Sequence, residues 1–263
     1  MAAYLDRIVA AHRDAAAADE RDLTAALALV RRLPVPRRFV EGLTTAAGRD
    51  GIAVVAEVKR RSPSKGDIDP DLDPAGLAKD YEAGGAACLS VLTDAEFFGG
   101  SPEDLRAAKE ACTVPVLRKD FTVSALDVCD ARLMGADAVL LIAAVLTDEE
   151  LAEYLRVAAA CGLAALVEVH DAAELERALG AGAALVGVNQ RDLRTFEVDH
   201  DRALDLARSL PGGVVAVAES GIRGPEDVRR LADAGYQAVL VGETLLRAED
   251  RRRALADLAG RVG

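Results

Sequence analysis

Glu57 and Lys59 stand two residues apart at the end of an apolar run, residues 52–58. Successive side chains of a strand point to opposite faces, so a strand here turns both charges the same way. Ser62 follows, and Pro63 and Gly66 keep the next stretch out of a helix. Polar residues close other apolar runs in the same manner: Ser90 and Thr93, Lys119 and Asp120, Glu168, Asn189 and Arg191, Glu219 and Ser220, Gly242 and Glu243. If these ends converge, the chemistry on offer is proton transfer. A lysine ammonium can give a proton, and a buried carboxylate can receive one. One inward Lys–Glu pair can be a tolerated ion pair, and a lone Asn can be a cap. The whole set is costly to bury unless a ligand or solvent completes the network, and such clusters mark functional sites.

The last two runs end in Glu219-Ser220-Gly221-Ile222 and Gly242-Glu243-Thr244. Glycine lets the backbone approach an anion, and a helix N-terminus following such a turn favours negative charge. Ser62 can reach the same anion from the first loop. Glu243 is an awkward residue for a phosphate turn; its backbone N–H can serve with the side chain turned out.

The elements that position these residues follow a repeating order. Short aliphatic runs occupy residues 52–58, 87–92, 114–117, 138–142, 164–169, 185–188, 214–218 and 238–241. Helix-like segments lie between them, at 74–83, 102–111, 124–134, 148–160, 172–179, 201–209 and 225–234. Pro or Asp opens several and Gly follows several, as helix termini prefer. A Gly-containing turn recurs before four strands, at Gly84-Gly85, Gly135, Gly180 to Gly182 and Gly235. Uniformly apolar strands alternating with helices argue for parallel pairing with helices outside. Eight units argue for a closed α/β barrel of the (β/α)8 TIM type, with chemistry at the strand ends, and the first turn lacks the GxGxxG of an open dinucleotide-binding sheet. Residues 1–48 read as an N-terminal helical extension packed on the barrel, with helices at about 1–18 and 22–32. Residues 49–263 form the barrel. Arg31, Arg32, Arg37 and Arg38 read as a solvated face.

Composition narrows the partners. The chain has 263 residues, 51% apolar, with no Trp and a net charge of −12. That acidity disfavours nucleic acid and anionic membrane, so an anionic small molecule must be held by a local cationic patch. No apolar stretch reaches transmembrane length and no signal peptide is readable. Cys88, Cys112, Cys129 and Cys161 form no CxxC pair and read as buried free thiols in a reducing cytoplasm. His12, His170 and His200 are not at ligand spacing, so no metal site is expected. His170 shares the facing of Glu168 if the strand continues that far, and reads as a rim residue without a matching partner.

At this point the motifs resemble a known family, the indole-3-glycerol phosphate synthases of tryptophan biosynthesis. They are Glu57-Val-Lys59-Arg-Arg-Ser62-Pro63-Ser64, Ser90-Val-Leu-Thr93 with Phe97-Phe98-Gly99-Gly100-Ser101, Pro115-Val-Leu-Arg-Lys119-Asp120-Phe121, Leu166-Val-Glu168-Val, Gly187-Val-Asn189-Gln-Arg191-Asp192-Leu193, Ala218-Glu219-Ser220-Gly221-Ile222 and Val241-Gly242-Glu243. The resemblance runs from about residue 50 to the end. It implies a substrate, 1-(2-carboxyphenylamino)-1-deoxyribulose 5-phosphate, and a lyase reaction that closes a pyrrole ring with loss of CO2 and water. It implies no metal or organic cofactor. Carried over by position, Lys119 is the general acid of ring closure, and Glu168 and Lys59 share the later proton transfers in an undivided way. Glu57, Asn189 and Glu219 orient them, and Arg191 belongs to the same network. Ser62, Ser220, Gly221, Gly242 and Glu243 hold the phosphate. Phe98, Phe121, Leu140 and Leu193 line the anthranilate pocket. A lysine that gives a proton gains from another nearby cation or from desolvation, and a glutamate that takes one gains from burial. A related sugar-phosphate isomerase and a silent scaffold barrel are the competing readings. A monomer is expected, with residues 60–69 as a mobile loop at the mouth.

Overall fold

Eight strands form where the eight apolar runs lie: β1 (Ala53–Val58), β2 (Cys88–Leu92), β3 (Val116–Lys119), β4 (Ala138–Ile142), β5 (Ala164–Val169), β6 (Leu185–Asn189), β7 (Val215–Glu219) and β8 (Ala238–Val241). The computed structural model describes residues 2–62 and 66–261. Sequential strands pair in parallel, and β1 closes on β8 with Ala53 opposite Ala238, so the sheet is a closed (β/α)8 barrel. Three strands end later than the sequence expectation. β3 starts at Val116 because Pro115 has no N–H for the ladder, and it therefore carries Lys119 on the strand itself. β6 and β7 likewise include Asn189 and Glu219.

Period-two alternation divides the apolar residues into two cores. Val55, Leu117, Leu140, Leu166, Val217 and Leu240 fill the barrel. Val54, Val91, Val139, Val167, Val186 and Val239 face the surrounding helices. Glu57, Ser90, Lys119, Glu168, Asn189 and Glu219 share the parity of the barrel-filling set, one layer beyond it.

The outer helices are α4 (Pro74–Gly84), α5 (Pro102–Ala111), α6 (Ala125–Leu133), α7 (Asp148–Cys161), α8 (Ala172–Gly180), α9 (Arg202–Ala207), α10 (Pro225–Asp233), α11 (Glu243–Leu246) and α12 (Arg251–Leu258). Ser124 and Thr147 close capping boxes with Asp127 and Glu150, which fixes where α6 and α7 begin. The four cysteines are buried. Among the described residues no helix is long and apolar enough to cross a membrane.

The first fifty residues wrap the barrel from one end to the other. They form α1 (Ala2–Ala17), α2 (Leu23–Val30) and α3 (Phe39–Asp50), the last of which the sequence reading did not separate. α1 lies at the mouth, where Arg13 bonds the Val123 carbonyl at 3.0 Å and Glu150 at 2.8 Å. α2 packs on α6 and α7. α3 covers the strand starts, burying Phe39, Leu43 and Ala46 with Ala53, Ala87 and Cys88. Arg37 is not the solvated residue expected from its neighbours. It binds the Val114 and Lys109 carbonyls at 2.8 and 3.1 Å, while its amide donates to Asp137. The expected loop at residues 60–69 is partly ordered pairing: Arg61 and Ser62 pair with Asp67 and Gly66 as a two-stranded hairpin. Residues 63–65 of that segment lie outside the described residues.

Candidate functional site

One cavity of about 390 Å³ opens at the strand ends. All sixteen residues expected from the sequence line it: Glu57, Lys59, Lys119, Glu168, Asn189 and Glu219, with Ser62, Phe98, Phe121, Leu140, Arg191, Leu193, Ser220, Gly221, Gly242 and Glu243. The parallel register explains the convergence, since Glu57 is level with Ser90, Ile142 with Glu168, and Asn189 with Glu219.

Lys119 is the hub. Its ammonium lies 3.0 Å from Glu168 Oε2 and 3.7 Å from Glu219 Oε2. Asn189 Nδ2 donates to Glu168 Oε1 at 3.0 Å, and Asn189 Oδ1 accepts the Arg191 amide at 3.0 Å. Lys59 bonds Glu57 on the first strand. Glycine makes room for two of the carboxylates. A Cβ on Gly187 would stand 2.1 Å from Glu219 Oε1, and one on Gly242 would stand 2.6 Å from Glu57 Oε1. Any side chain at either position displaces an acid.

Electrostatics separates the two deepest acids. Burial alone would neutralise Glu168, but Lys119, His170 and Asn189 outweigh it and hold its carboxyl well below the usual range. Burial and the neighbouring Glu168 charge push Glu219 up to about 8. Oε1 of Glu219 is buried without a hydrogen-bond partner. The proton-holding acid is therefore Glu219. Burial disfavours the Lys119 charge, yet Glu168, Glu219 and Glu57 together lift its pKa above the ordinary lysine value. Desolvation weakens this ammonium, but the three acids around it outweigh that effect.

The phosphate-like turn has the strain of a ligand site. Ser220 is a non-glycine residue at φ 65°, followed by Gly221 at φ 72°. Glu243, the awkward carboxylate, pairs with Arg247 at 3.1 Å, which draws its charge off the turn. Arg223 and Arg247 add cations to this side of the cavity.

The sequence reading missed several residues. Leu5 and Ile8 of α1 line the cavity; their i, i+3 spacing is visible in the chain, but not what they cover. His12 Nε2 sits 2.9 Å from Asp94 Oδ2 and 3.8 Å from Asp120 Oδ1, and its ring packs against Phe121. These three side chains come within ligand spacing of one another, a grouping of His12 with acids that the spacing of the histidines does not reveal. Their oxygens are already engaged: Asp94 caps the Phe97 and Phe98 amides, and Asp120 takes Arg118 at 2.8 Å. The cluster pins α1 to the mouth. His170 is not a rim residue without a partner. It contacts both Glu168 and Glu174.

Comparison with known proteins gives the chain a family. The family model described as indole-3-glycerol phosphate synthase matches residues 5–258. The indole-3-glycerol phosphate synthase of Kineococcus radiotolerans is 54% identical over 226 residues, covering 85% of this chain and 82% of that one. That of Aromatoleum aromaticum is 47% identical over 262 residues, covering 99% and 100%. That of Beutenbergia cavernae is 49% identical over 255 residues, covering 97% and 94%. Among solved structures, a thiamine phosphate pyrophosphorylase from Pyrococcus furiosus superposes with a TM-score of 0.59 at 16% identity over 80% of this chain and 95% of that one, a likeness of fold alone. With a family match across nearly its whole length and relatives near half-identity, the chain belongs to the indole-3-glycerol phosphate synthase family.

Proposed function

We propose that the residues around this cavity divide the family's decarboxylating ring closure among themselves as follows. The phosphate of 1-(2-carboxyphenylamino)-1-deoxyribulose 5-phosphate sits at Ser62, Ser220-Gly221 and Gly242-Glu243. The aromatic ring lies against Phe98, Phe121, Leu140 and Leu193. Lys59, Lys119 and Arg191 offset the negative charge of a substrate carrying both phosphate and carboxylate. As the ring carbon bonds to the carbonyl carbon, Lys119 gives its proton to the developing alkoxide. An alkoxide is about as basic as hydroxide, whose conjugate acid water has a pKa of about 15.7, so even a stabilised ammonium transfers its proton downhill. Loss of CO2 restores the aromatic ring. Glu168 and Lys59 then share the proton transfers by which a hydroxyl leaves as water. Glu57, Asn189 and Glu219 hold these groups in place.

The observation that carries the reading is Lys119 held between Glu168 and Glu219 in a cavity lined both by aromatic and aliphatic side chains and by charged and polar ones. The test is formation of indole-3-glycerol phosphate from that substrate, followed by indole fluorescence without added metal. Turnover is expected in the wild type and its loss in Glu168→Gln, by roughly 10²-fold or more. Absence of turnover with tight substrate binding would favour a silent barrel instead. Acting as a monomer in the cytoplasm, without nucleic acid, belongs to the same proposal. Its supports are four buried thiols and a net charge of −12.

A further inference from the structure

His170 follows the last residue of β5 and keeps the inward parity of Leu166 and Glu168. Its position is fixed from behind. Asp171 caps α8 by accepting the Glu174 amide at 2.8 Å, which places the Glu174 side chain over the strand end. Glu174 Oε2 then takes two bonds from one residue, the His170 backbone N–H at 2.8 Å and ring Nδ1 at 3.0 Å. This clamp leaves Nε2 facing Glu168 Oε1 at 3.4 Å. That nitrogen is buried and makes no hydrogen bond in the resting geometry.

Both ring nitrogens thus face carboxylate oxygens. A neutral imidazole has one N–H and one lone pair, so one of the two contacts would set lone pair against anion. The doubly protonated ring satisfies both. The titratable groups around it come from four elements: Glu168 on β5, Glu174 on α8, Glu219 on β7, and Lys119 on β3, which shares Glu168. Asn189 on β6 is neutral, and so is Glu219 while it holds its proton. The two anions in contact with the ring, Glu168 and Glu174, favour its charged form. Burial works against that charge, but the bond to Glu174 and the nearby Glu168 carboxylate overcome it and raise His170 to about 9.

Glu168 has one strong cation in this arrangement, Lys119 at 3.0 Å. In the proposed reaction Lys119 turns its proton toward the substrate oxygen and becomes a neutral amine. At that moment Glu168 would lose its counter-charge just before its own proton transfer. We propose that His170 is a positioning residue for Glu168, an imidazolium clamped by Glu174 that keeps a second cation on that carboxylate while Lys119 engages the substrate. The 3.4 Å gap shortens when Lys119 no longer competes for the Glu168 charge. His170 touches neither the cavity nor the substrate, so it acts only through Glu168. The inference rests on the role of Glu168 given above.

Two measurements test it, one independent of turnover. Imidazole titration by NMR should find His170 still protonated at pH 8 in the wild type. Glu168→Gln should bring its midpoint down by at least about one pH unit, since removing an adjacent charge moves a titration by about that much. A His170 midpoint near the ordinary value of about 6.5, unmoved by Glu168→Gln, overturns the proposal even if the enzyme turns over. The second measurement is the pH profile of kcat. His170→Asn should move its acid limb upward by about one pH unit, so that kcat falls about tenfold at pH values below both limbs, with KM little changed. Glu174→Gln keeps the histidine in place and should move the limb the same way by less. A limb that stays put in both variants overturns the proposal; a loss of activity equal at every pH also overturns it, since that marks a purely structural role.

Discussion

At the strand starts, Asp137 is 1% exposed and its oxygens are taken: Lys109 bonds it, the Val116 amide donates at 2.8 Å, and the Arg37 amide donates at 2.6 Å. At the strand ends Glu219 is equally buried, yet one of its oxygens has no partner and its nearest cation is 3.7 Å away. Both are acids beside a lysine in the same barrel. The first is a completed network covered by α3; the second is incomplete and faces an open cavity. A saturated buried charge specifies and holds a structure, whereas an unsaturated one keeps a proton mobile. Substitutions at the two ends should therefore separate activity from stability.

The largest effect belongs to the open end. Lys119→Ala should cut kcat by roughly 10²–10⁴-fold, the range of a lost general acid. Stability should change little, because Glu219 is already neutral and Glu168, which keeps His170 at 3.4 Å and the Asn189 amide at 3.0 Å, can take up a proton in place of the lost cation. Turnover within about tenfold of wild type would remove Lys119 from the chemistry. At the closed end the same kind of change should act the other way. Asp137→Ala leaves Lys109 and two amides without their acceptor and should cost about 3 kcal/mol in a urea unfolding curve. Its kcat per folded molecule should match wild type. A fall in kcat with unchanged stability would dissolve the contrast between the ends.

A smaller and sharper test uses glycine. Gly187→Ala puts a methyl group where the end of the Glu219 side chain now lies. The flexible side chain can swing away, so stability should fall by less than about 1 kcal/mol, yet the displaced acid no longer supports Lys119. About a tenfold loss of kcat is expected, as misplacing a catalytic group by an ångström can cost that much or more. A matching loss of stability would show that the rim, like the base, is rigid packing.

The open end was far more legible in the sequence than the closed one, and the reason is periodicity. Period two along eight short strands fixes which residues face inward, so Glu57, Lys119, Glu168, Asn189 and Glu219 could be read as neighbours without any knowledge of contacts. Asp137 precedes its strand, and its partners Lys109 and Arg37 come from a helix and a linker; no period connects them. α3 was obscured by Gly42 and Gly48, which weaken its helical pattern, although Gly42 is where the helix passes close to Ala87 and Cys88. His12 meets Asp94 across 82 residues of chain through the wrapping of α1. His170 looked unpartnered because Glu174 lies across a strand-to-helix turn, where neither the strand period nor the helix period applies.

The last and smallest effect is a pH dependence, and its sign distinguishes the acids. Between the ordinary carboxylate value of about 4.3 and about 8, the folded protein keeps a proton on Glu219 that the unfolded chain has released. The native state binds more protons in this window, so stability falls as pH rises through it and levels off above. Glu168 runs the opposite way. Its depressed pKa contributes stability that is present above the ordinary value and lost only as pH falls below it, outside this window. His170, raised to about 9, also contributes stability that is fully present below about 6.5 and lost as pH rises through its folded value. Comparing wild type with Glu219→Gln cancels the histidine and isolates the acid. The two proteins should be about equally stable at pH 5, where both carry a neutral group at this position. At pH 9 the glutamine variant should be more stable by about 1–3 kcal/mol, given 1.36 kcal/mol per pH unit and some relaxation around the charge. Parallel stability curves from pH 5 to 9 would mean that Glu219 is ionised throughout, and the unpaired oxygen at the strand ends would then mark a charge awaiting a cation, not an acid holding a proton.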